Sequence, residues 1–227
     1  MTVFLLSPPW GLWANPYSLK PLPPLRVIEG FNTEPVGKFP TRFRTYPFQR
    51  GKAMQVYSVQ TEGDNHYLNA TASGETQDIG VQIFKRFYWE LSRWPNISWR
   101  WRAKAIPTPK NHEKFNDNAC GVYIIFGGYG GKAVKYVWST DLPVGTVTED
   151  TPGDFYVVTA ASGSQNLGQW QTVSLNIVKE YQRLFKSSPD KDPVGFGLLT
   201  DGDGTKTPAI CDYDDFRISE GNIEAKD

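Results

Sequence analysis

The residues whose types and spacing could do chemistry are four aspartates near the carboxyl end of the chain. Asp201 and Asp203, followed by Thr205, have the every-second-residue oxygen spacing of a calcium-binding loop. Asp212 stands at the twelfth position counted from Asp201, and Asp214 follows it. Oxygen ligands without histidine or cysteine favour calcium over zinc or copper. We therefore expect any bound metal to be calcium, held by these four aspartates.

The alternative is that the same aspartates only form turns and hydrogen bonds. An EF-hand is excluded, because Lys206 takes the position of its turn glycine and Asp212 replaces its longer glutamate. Short Asp/Gly runs such as 201–204 are common in solvated turns. If the last strand turns Phe216 to the core, simple alternation also turns Asp212 and Asp214 inward, where a carboxylate requires a cation or strong hydrogen bonds. The sequence leaves both interpretations open.

Two arginines share one face of the strand-like run 97–105. Trp99 and Trp101 alternate with Arg100 and Arg102 along this run, so the tryptophans line one face and the arginines the other. Guanidinium groups bind carboxylates or phosphates bidentately and stack on flat rings. We expect Arg100 and Arg102 to contact a ligand. The alternative is a solvated outer face with paired surface charges.

Tyr136, Trp138 and Asp117 complete the candidate ligand-binding residues. Tyr136 and Trp138 share one face of a predicted strand, where flat aromatic rings can bind a sugar or simply pack in the core. Asp117 is the candidate catalytic residue, with Asp201 or Asp203 as the second carboxylate of a glycosidase. No compact motif marks such a pair, so the sequence names only one half of an acid and base.

Composition excludes several classes of protein. The chain has 227 residues, of which 24 are basic and 24 acidic, so no net field attracts nucleic acid or an anionic membrane. A hydrophobic fraction of 39% provides a sizeable core. No run approaches the roughly 20 apolar residues of a transmembrane helix. With two cysteines and two histidines, zinc fingers and iron–sulfur clusters lack ligands.

The two cysteines open two predicted strands. Cys120 begins a nearly all-apolar strand, and Cys211 begins the last one. If these strands are neighbours, the Cα atoms could reach the separation of about 5.5 Å that a disulfide needs. Such a bond also requires an oxidising compartment. The alternative is two buried free thiols.

Short segments separated by turn signals predict an all-β fold. About ten strands, one of them over 53–59, and a single amphipathic helix over 178–187 indicate a two-sheet antiparallel β-sandwich of jelly-roll type. We expect residues 28–220 to form one domain. The residues expected in its core are Trp99, Trp101, Val122, Ile124, Phe126, Phe196, Leu198 and Phe216.

The two ends of the chain differ from the predicted domain. Residues 1–27 are rich in proline and begin with an apolar stretch, which indicates an extended arm or the remnant of an export signal. Residues 221–227 form a polar tail. We therefore expect a periplasmic or secreted protein, with a cytoplasmic location as the alternative.

A set of motifs in this order resembles a bacterial family. The set comprises Trp-Arg-Trp-Arg at 99–102, Asn-Asp at 116–117, Tyr-Val-Trp at 136–138, Trp170, and the Asp/Gly-rich run at 199–205. It is similar to the domain-of-unknown-function family 3047, and the resemblance covers roughly residues 28–220. This chain departs from the family pattern at two positions: the family has an acidic pair where Asn-Asp stands, and an asparagine in place of the glycine at 204. The resemblance implies a jelly-roll-like fold.

Two functions follow from these observations. The first is a non-catalytic module that binds carbohydrate and holds a structural calcium; the last strand is similar to the closing strand of many carbohydrate-binding jelly rolls, where an aspartate ligates calcium. The second is a carbohydrate-active hydrolase or lyase that uses Asp117 and holds an acidic sugar on the face of Arg100 and Arg102. Jelly rolls host both kinds of function.

Overall fold

The computed structural model describes residues 24–108, 117–128 and 130–220. Our expectations for the first part of the arm, up to residue 23, and for the polar tail 221–227 lie outside these residues. The first strand starts at Leu25, inside the arm expected over residues 1–27. The domain boundary at residue 28 stays a prediction. Within the described part, no helix is both long and apolar enough to span a membrane.

Thirteen strands account for most of the described chain. They are β1 (Leu25–Glu29), β2 (Arg44–Thr45), β3 (Tyr57–Glu62), β4 (Asn65–Ala72), β5 (Ile83–Arg86), β6 (Asn96–Ala105), β7 (Asn118–Phe126), β8 (Ala133–Ser139), β9 (Val147–Thr151), β10 (Phe155–Ser162), β11 (Gln171–Asn176), β12 (Pro193–Asp201) and β13 (Ala209–Ser219). The first sheet has the order β11-β6-β13-β4-β3, with β1 paired to the second half of β13. The second sheet has the order β2-β5-β12-β7-β8-β10-β9.

The strand pairing confirms a β-sandwich with one exception to antiparallel order. Among the described strands, only β8 and β10 pair in parallel, and β9 lies between them in the sequence. The hairpin of β7 and β8 is antiparallel, as the glycine-rich turn between them predicts. The all-β fold class predicted from the sequence is therefore confirmed.

In the part of the chain that the structure describes, two helices and a short 3-10 turn at Gly74–Thr76 interrupt the strands. Helix α2 (Ile177–Phe185) confirms the predicted helix; the Asn176 side chain accepts a hydrogen bond from the Lys179 amide and caps its start. Helix α1 (Arg50–Val56) corrects the strand predicted over 53–59. Its buried side chains are Ala53 and Val56, which lie three residues apart on one face of the helix. A short apolar run fits the period of a helix as well as that of a strand, which explains the wrong prediction.

The facing surfaces of the two sheets form the core. All eight residues that we expected there are buried. Phe196 of the second sheet stacks on Phe216 of the first with ring centroids 4.2 Å apart, and Trp99 stacks on the same phenylalanine. Trp99 and Trp101 contact each other edge to face. Aromatic packing of this kind contributes large buried areas and fixes how the sheets face each other.

A β-bulge in β13 corrects the orientation that simple alternation gave for Asp212 and Asp214. Asp214 pairs with Arg100, but the next pair joins Arg217 to Ser98, so β13 contains one extra residue. Asp215 lies at this bulge with a φ of 55°. The side chains of Asp212 and Asp214 therefore lie on the outer face with the arginines, while Phe216 faces the core.

A disulfide joins Cys120 of β7 to Cys211 of β13, with Cα atoms 5.4 Å apart. Because these strands belong to different sheets, the bond ties the two layers together. Of the two alternatives that the sequence left open, the disulfide is the one present, and neither cysteine is free.

We expect replacement of both cysteines by alanine to lower the free energy of unfolding by about 2–5 kcal/mol. The bond closes a loop of 91 residues and restricts the unfolded chain, and the variant loses this restriction. Urea unfolding of the oxidised protein and of the double variant measures this difference. The wild-type protein kept reduced serves as the control and should unfold near the variant. Equal urea midpoints for the oxidised protein and the variant would contradict the prediction.

Candidate functional site

The outer face of the first sheet carries Arg102 in a closed network of charges. Its guanidinium nitrogens lie 2.8 Å from Asp212 Oδ2 and 3.2 Å from Glu62 Oε1. Lys104 Nζ lies 2.7 Å from the same Asp212 oxygen, and the Asn69 side chain donates to the other oxygen. Asp212 is fully buried by these groups. The network neutralises Arg102 within the protein itself.

Arg100 forms a second, similar unit one step along β6. Its Nη2 lies 2.7 Å from Asp214 Oδ2, and its Nε lies 3.0 Å from Asp215 Oδ2. Burial raises the pKa of Asp214, against the opposing effect of hydrogen bonds from Asn65 and Arg100. Since each arginine is paired with at least two carboxylates, this face is not an open clamp for an anion. Arg100 and Arg102 remain ligand-binding residues only as a prediction.

Two aromatic rings cover these arginines. The guanidinium carbons of Arg100 and Arg102 lie over the Trp170 ring, 4.7 and 4.5 Å from its centroid. Tyr67 meets Trp170 edge to face at 5.7 Å. We call Tyr67, Trp170 and the two arginines the aromatic–arginine surface. Trp170 is half-buried, so part of its ring is open to solvent.

Tyr136 and Trp138 do not form an exposed platform, which corrects our expectation that they contact a ligand. Both side chains are buried between the sheets. Trp138 packs on Trp101, and its indole N–H donates to the Gly163 carbonyl at 3.0 Å. Tyr136 packs on Trp99. Both side chains lie on the inward face of β8, which forms part of the core.

The second sheet has a cluster of three carboxylates at one end of its outer face. Asp117, Asp201 and Asp203 each place one oxygen within 4.8 Å of the others, close enough to hold a metal ion. Asp117 accepts hydrogen bonds from the amide and hydroxyl of Thr205, at 2.7 and 2.6 Å. Of the four aspartates that we expected to share a calcium, the structure brings together only Asp201 and Asp203, with Asp117 as the third member.

Crowding changes the acidity of this cluster. Burial, followed by the neighbouring Asp203 and Asp117, raises the pKa of Asp201 to about 7. A Cβ atom on Gly80 would lie 3.0 Å from oxygens of both Asp201 and Asp203, so a side chain there would push these carboxylates aside. Lys135 is fully buried nearby, and burial lowers its pKa to about 8 against the effect of Asp201.

A cleft of about 380 Å³ occupies the other end of the same face. Its floor includes the outward side of β12 at Gly195, which carries no side chain. The walls include Tyr46 and Phe84 on one side, with ring centroids 6.2 Å apart, and the stacked pair Tyr123 and Phe155 on the other, at 5.9 Å. We call this feature the glycine-floored cleft.

Local packing requires glycine at position 195, and the next outward residue of β12, Gly197, lies against the Gln82 side chain. A Cβ atom on Gly195, whose φ is 143°, would lie 2.1 Å from the Lys85 carbonyl oxygen. A Cβ atom on Gly197 would lie 2.9 Å from the Gln82 side chain. The intervening residue Phe196 points into the core, as alternation requires. Our sequence analysis missed this cleft, although the glycines alternate visibly with core residues in β12.

The comparisons place this jelly-roll-like β-sandwich in a family. The chain belongs to the family described as "Protein of unknown function (DUF3047)", whose profile matches residues 41–217. This confirms the family that the sequence motifs indicated. No curated protein matches the chain significantly.

Solved structures with a partly similar fold have little sequence in common with this chain. The family 11 carbohydrate-binding module of the cellulosomal cellulase Lic26A-Cel5E of Clostridium thermocellum has 8% identity and a TM-score of 0.42, covering 89% of this chain and 98% of the module. The family 29 module CBM29_1 from Piromyces equi has 11% identity and a TM-score of 0.38, covering 87% and 91%. The xyloglucanase domain of NopAA, a type three effector from Sinorhizobium fredii solved with cellobiose, has 11% identity and a TM-score of 0.36, covering 80% and 99%.

In the wild-type protein, we expect the free energy of unfolding to fall as the pH rises from about 4 to about 7. The Asp201→Asn variant should not show this fall. The folded-state pKa of Asp201, about 7, lies above its ordinary value of 3.8. The folded protein therefore binds more protons than the unfolded chain in this window, and its stability falls as the pH rises through it. Urea unfolding at several pH values with a chelator present measures the effect, and Asp64→Asn in an exposed turn is the control. Identical pH profiles for Asp201→Asn and the wild type would contradict the assignment.

Proposed function

We propose that the protein binds carbohydrate in the glycine-floored cleft. The observation that carries the proposal is the position without a side chain at Gly195, which lies between two aromatic walls. Sugar rings present flat C–H faces that pack against aromatic rings. The cleft volume lies within the roughly 300–1,000 Å³ of typical ligand sites, which are concave and mostly apolar.

A few polar groups beside the apolar walls support the same function. The Tyr46 hydroxyl contacts the Gln82 side chain at 3.4 Å, and both residues line the cleft. Arg86 lines it as well. Amide, hydroxyl and guanidinium groups donate hydrogen bonds to the hydroxyls of a sugar and so fix its orientation.

The aromatic–arginine surface on the other sheet is the second candidate for the same ligand class. Trp170 offers a partly exposed ring there, beside the two arginines, Arg100 and Arg102, that we expect from the sequence to contact a ligand. The arginines beneath it are already paired with carboxylates, so a sugar would gain fewer new hydrogen bonds at this surface. We therefore place the principal site in the glycine-floored cleft.

We also propose that calcium binds at Asp117, Asp201 and Asp203. Three neighbouring carboxylates repel one another, and the raised pKa of Asp201 reflects this repulsion together with burial. A divalent cation with oxygen ligands would relieve it. Asp212 and Asp214 take no part in this proposal, because the arginines already neutralise them.

A carbohydrate-active enzyme is the alternative to a binding module. The raised pKa of Asp201 suits a general acid, and Asp117 places an oxygen within 4.8 Å of it, closer than the roughly 5–5.5 Å between the carboxylates of a retaining glycosidase. Both groups lie on the sheet that carries the cleft. Product analysis after incubation with a bound glycan distinguishes turnover from binding.

The disulfide supports export to the periplasm or the medium as part of this proposal. Structural disulfides persist in oxidising compartments and are rare in the cytosol. An exported protein also meets extracellular polysaccharides directly. We propose that residues 25–220 act as one exported carbohydrate-binding domain.

We expect Phe84→Ala and Phe155→Ala each to weaken binding of the glycan found on an array by about tenfold, because each removes a ring from the cleft wall. Isothermal titration measures the affinities, and unchanged melting temperatures show that the variants fold. Trp170→Ala on the opposite sheet is the matched control and should keep wild-type affinity. Loss of binding only in Trp170→Ala would move the site to the aromatic–arginine surface.

We expect calcium to raise the melting temperature of the wild-type protein relative to a chelator, because it binds the folded state alone. Asp203→Asn should abolish this rise, whereas Asp64→Asn should retain it. An equal melting temperature with calcium and with chelator would show that the three carboxylates hold no calcium.

A further inference from the structure

The charges around the glycine-floored cleft are unbalanced toward positive. Two cationic residues line it, Lys85 and Arg86. The Lys85 ammonium turns inward and pairs with the buried carboxylate of Glu29, so its charge is neutralised in the core. Arg86 is exposed and forms no ion pair with any residue that the structure describes. Among the described residues that line the cleft, none is acidic.

Arg86 stands at a junction between two depressions. It lines both the glycine-floored cleft and a neighbouring hollow, whose lining includes Tyr88, Trp89 and Asp192. The Asp192 carboxylate accepts a hydrogen bond from the Leu91 amide. Its cross-strand partner is Gly195, where close packing forbids a side chain. The Arg86 side chain therefore has no side chain opposite it on β12. A ligand that continues from one depression to the other passes this guanidinium group.

We infer that the cleft binds an acidic oligosaccharide and that Arg86 pairs with the carboxylate of a uronic acid residue. This inference rests on the proposed carbohydrate function and names its ligand class. A planar carboxylate matches the two parallel N–H groups of a guanidinium, which gives this pairing both strength and geometry. Phe84 on one side of Arg86 and the exposed Tyr88 on the other provide rings for the adjoining sugars.

The test compares acidic and neutral ligands that share one backbone. Isothermal titration uses tetramers of galacturonate, glucuronate and mannuronate, the methyl ester of each, and a sulfated neutral tetramer. We expect at least one uronate to bind about tenfold more tightly than its methyl ester, with an affinity that falls as salt screens the charge. Arg86→Gln should abolish this preference, so that the acid and its methyl ester bind with similar affinities. Arg86→Lys should restore it only in part.

The matched control is Arg44→Gln, an exposed arginine on the neighbouring strand β2 that does not line the cleft. It should keep the wild-type preference for the acid. Equal binding of acid and ester, a preference that survives Arg86→Gln, or tighter binding of the sulfated tetramer would overturn the inference. If neutral glycans bind and depend on Phe84, only this inference fails. If no glycan binds, the proposed function fails as well.

Discussion

The contact between Phe196 and Phe216 is the interaction on which the rest of the structure depends. Their stacked rings join the second sheet to the first and fix which side of β12 and of β13 faces inward. Because side chains alternate along a strand, an inward Phe196 turns Gly195 outward, where it forms the cleft floor. The same contact requires the bulge at Asp215, which lets Phe216 face the core while Asp214 stays outside.

The two outer faces differ in how their polar groups are satisfied. On the first sheet, buried aspartates pair with arginines of the neighbouring strand, and aromatic rings cover the guanidinium groups. Breaking one such pair would leave a buried charge without compensation, so these groups are committed to the fold. On the second sheet, glycines leave an open strip, while Arg86 and the carboxylates of Asp201 and Asp203 are not committed in this way. Surfaces with such uncommitted groups are the ones that can bind a ligand.

The sequence predicted the elements whose pattern is local and regular. The alternation of Trp99 and Trp101 with arginines placed both tryptophans in the core correctly, and the family motifs were matched by an independent profile. The orientation of Asp212 could not be predicted, because one extra residue at a bulge reverses alternation and leaves no clear signal in composition. The cleft was missed for another reason: its walls come from residues distant in sequence, and its floor consists of side chains that are absent. The carboxylate cluster was predicted in part, since Asp117 as partner of Asp201 was considered for catalysis but not for calcium.

The measurement that tests the account most directly is an NMR titration of the labelled protein with the oligosaccharide that binds it most tightly. Changes in amide chemical shifts report which face the ligand contacts, without any substitution that could disturb the fold. The account predicts that the largest changes fall on Gly195, Phe84 and Arg86. Changes concentrated on Trp170 and Tyr67, with Gly195 and Arg86 unaffected, would contradict it, because the ligand would then lie on the opposite sheet.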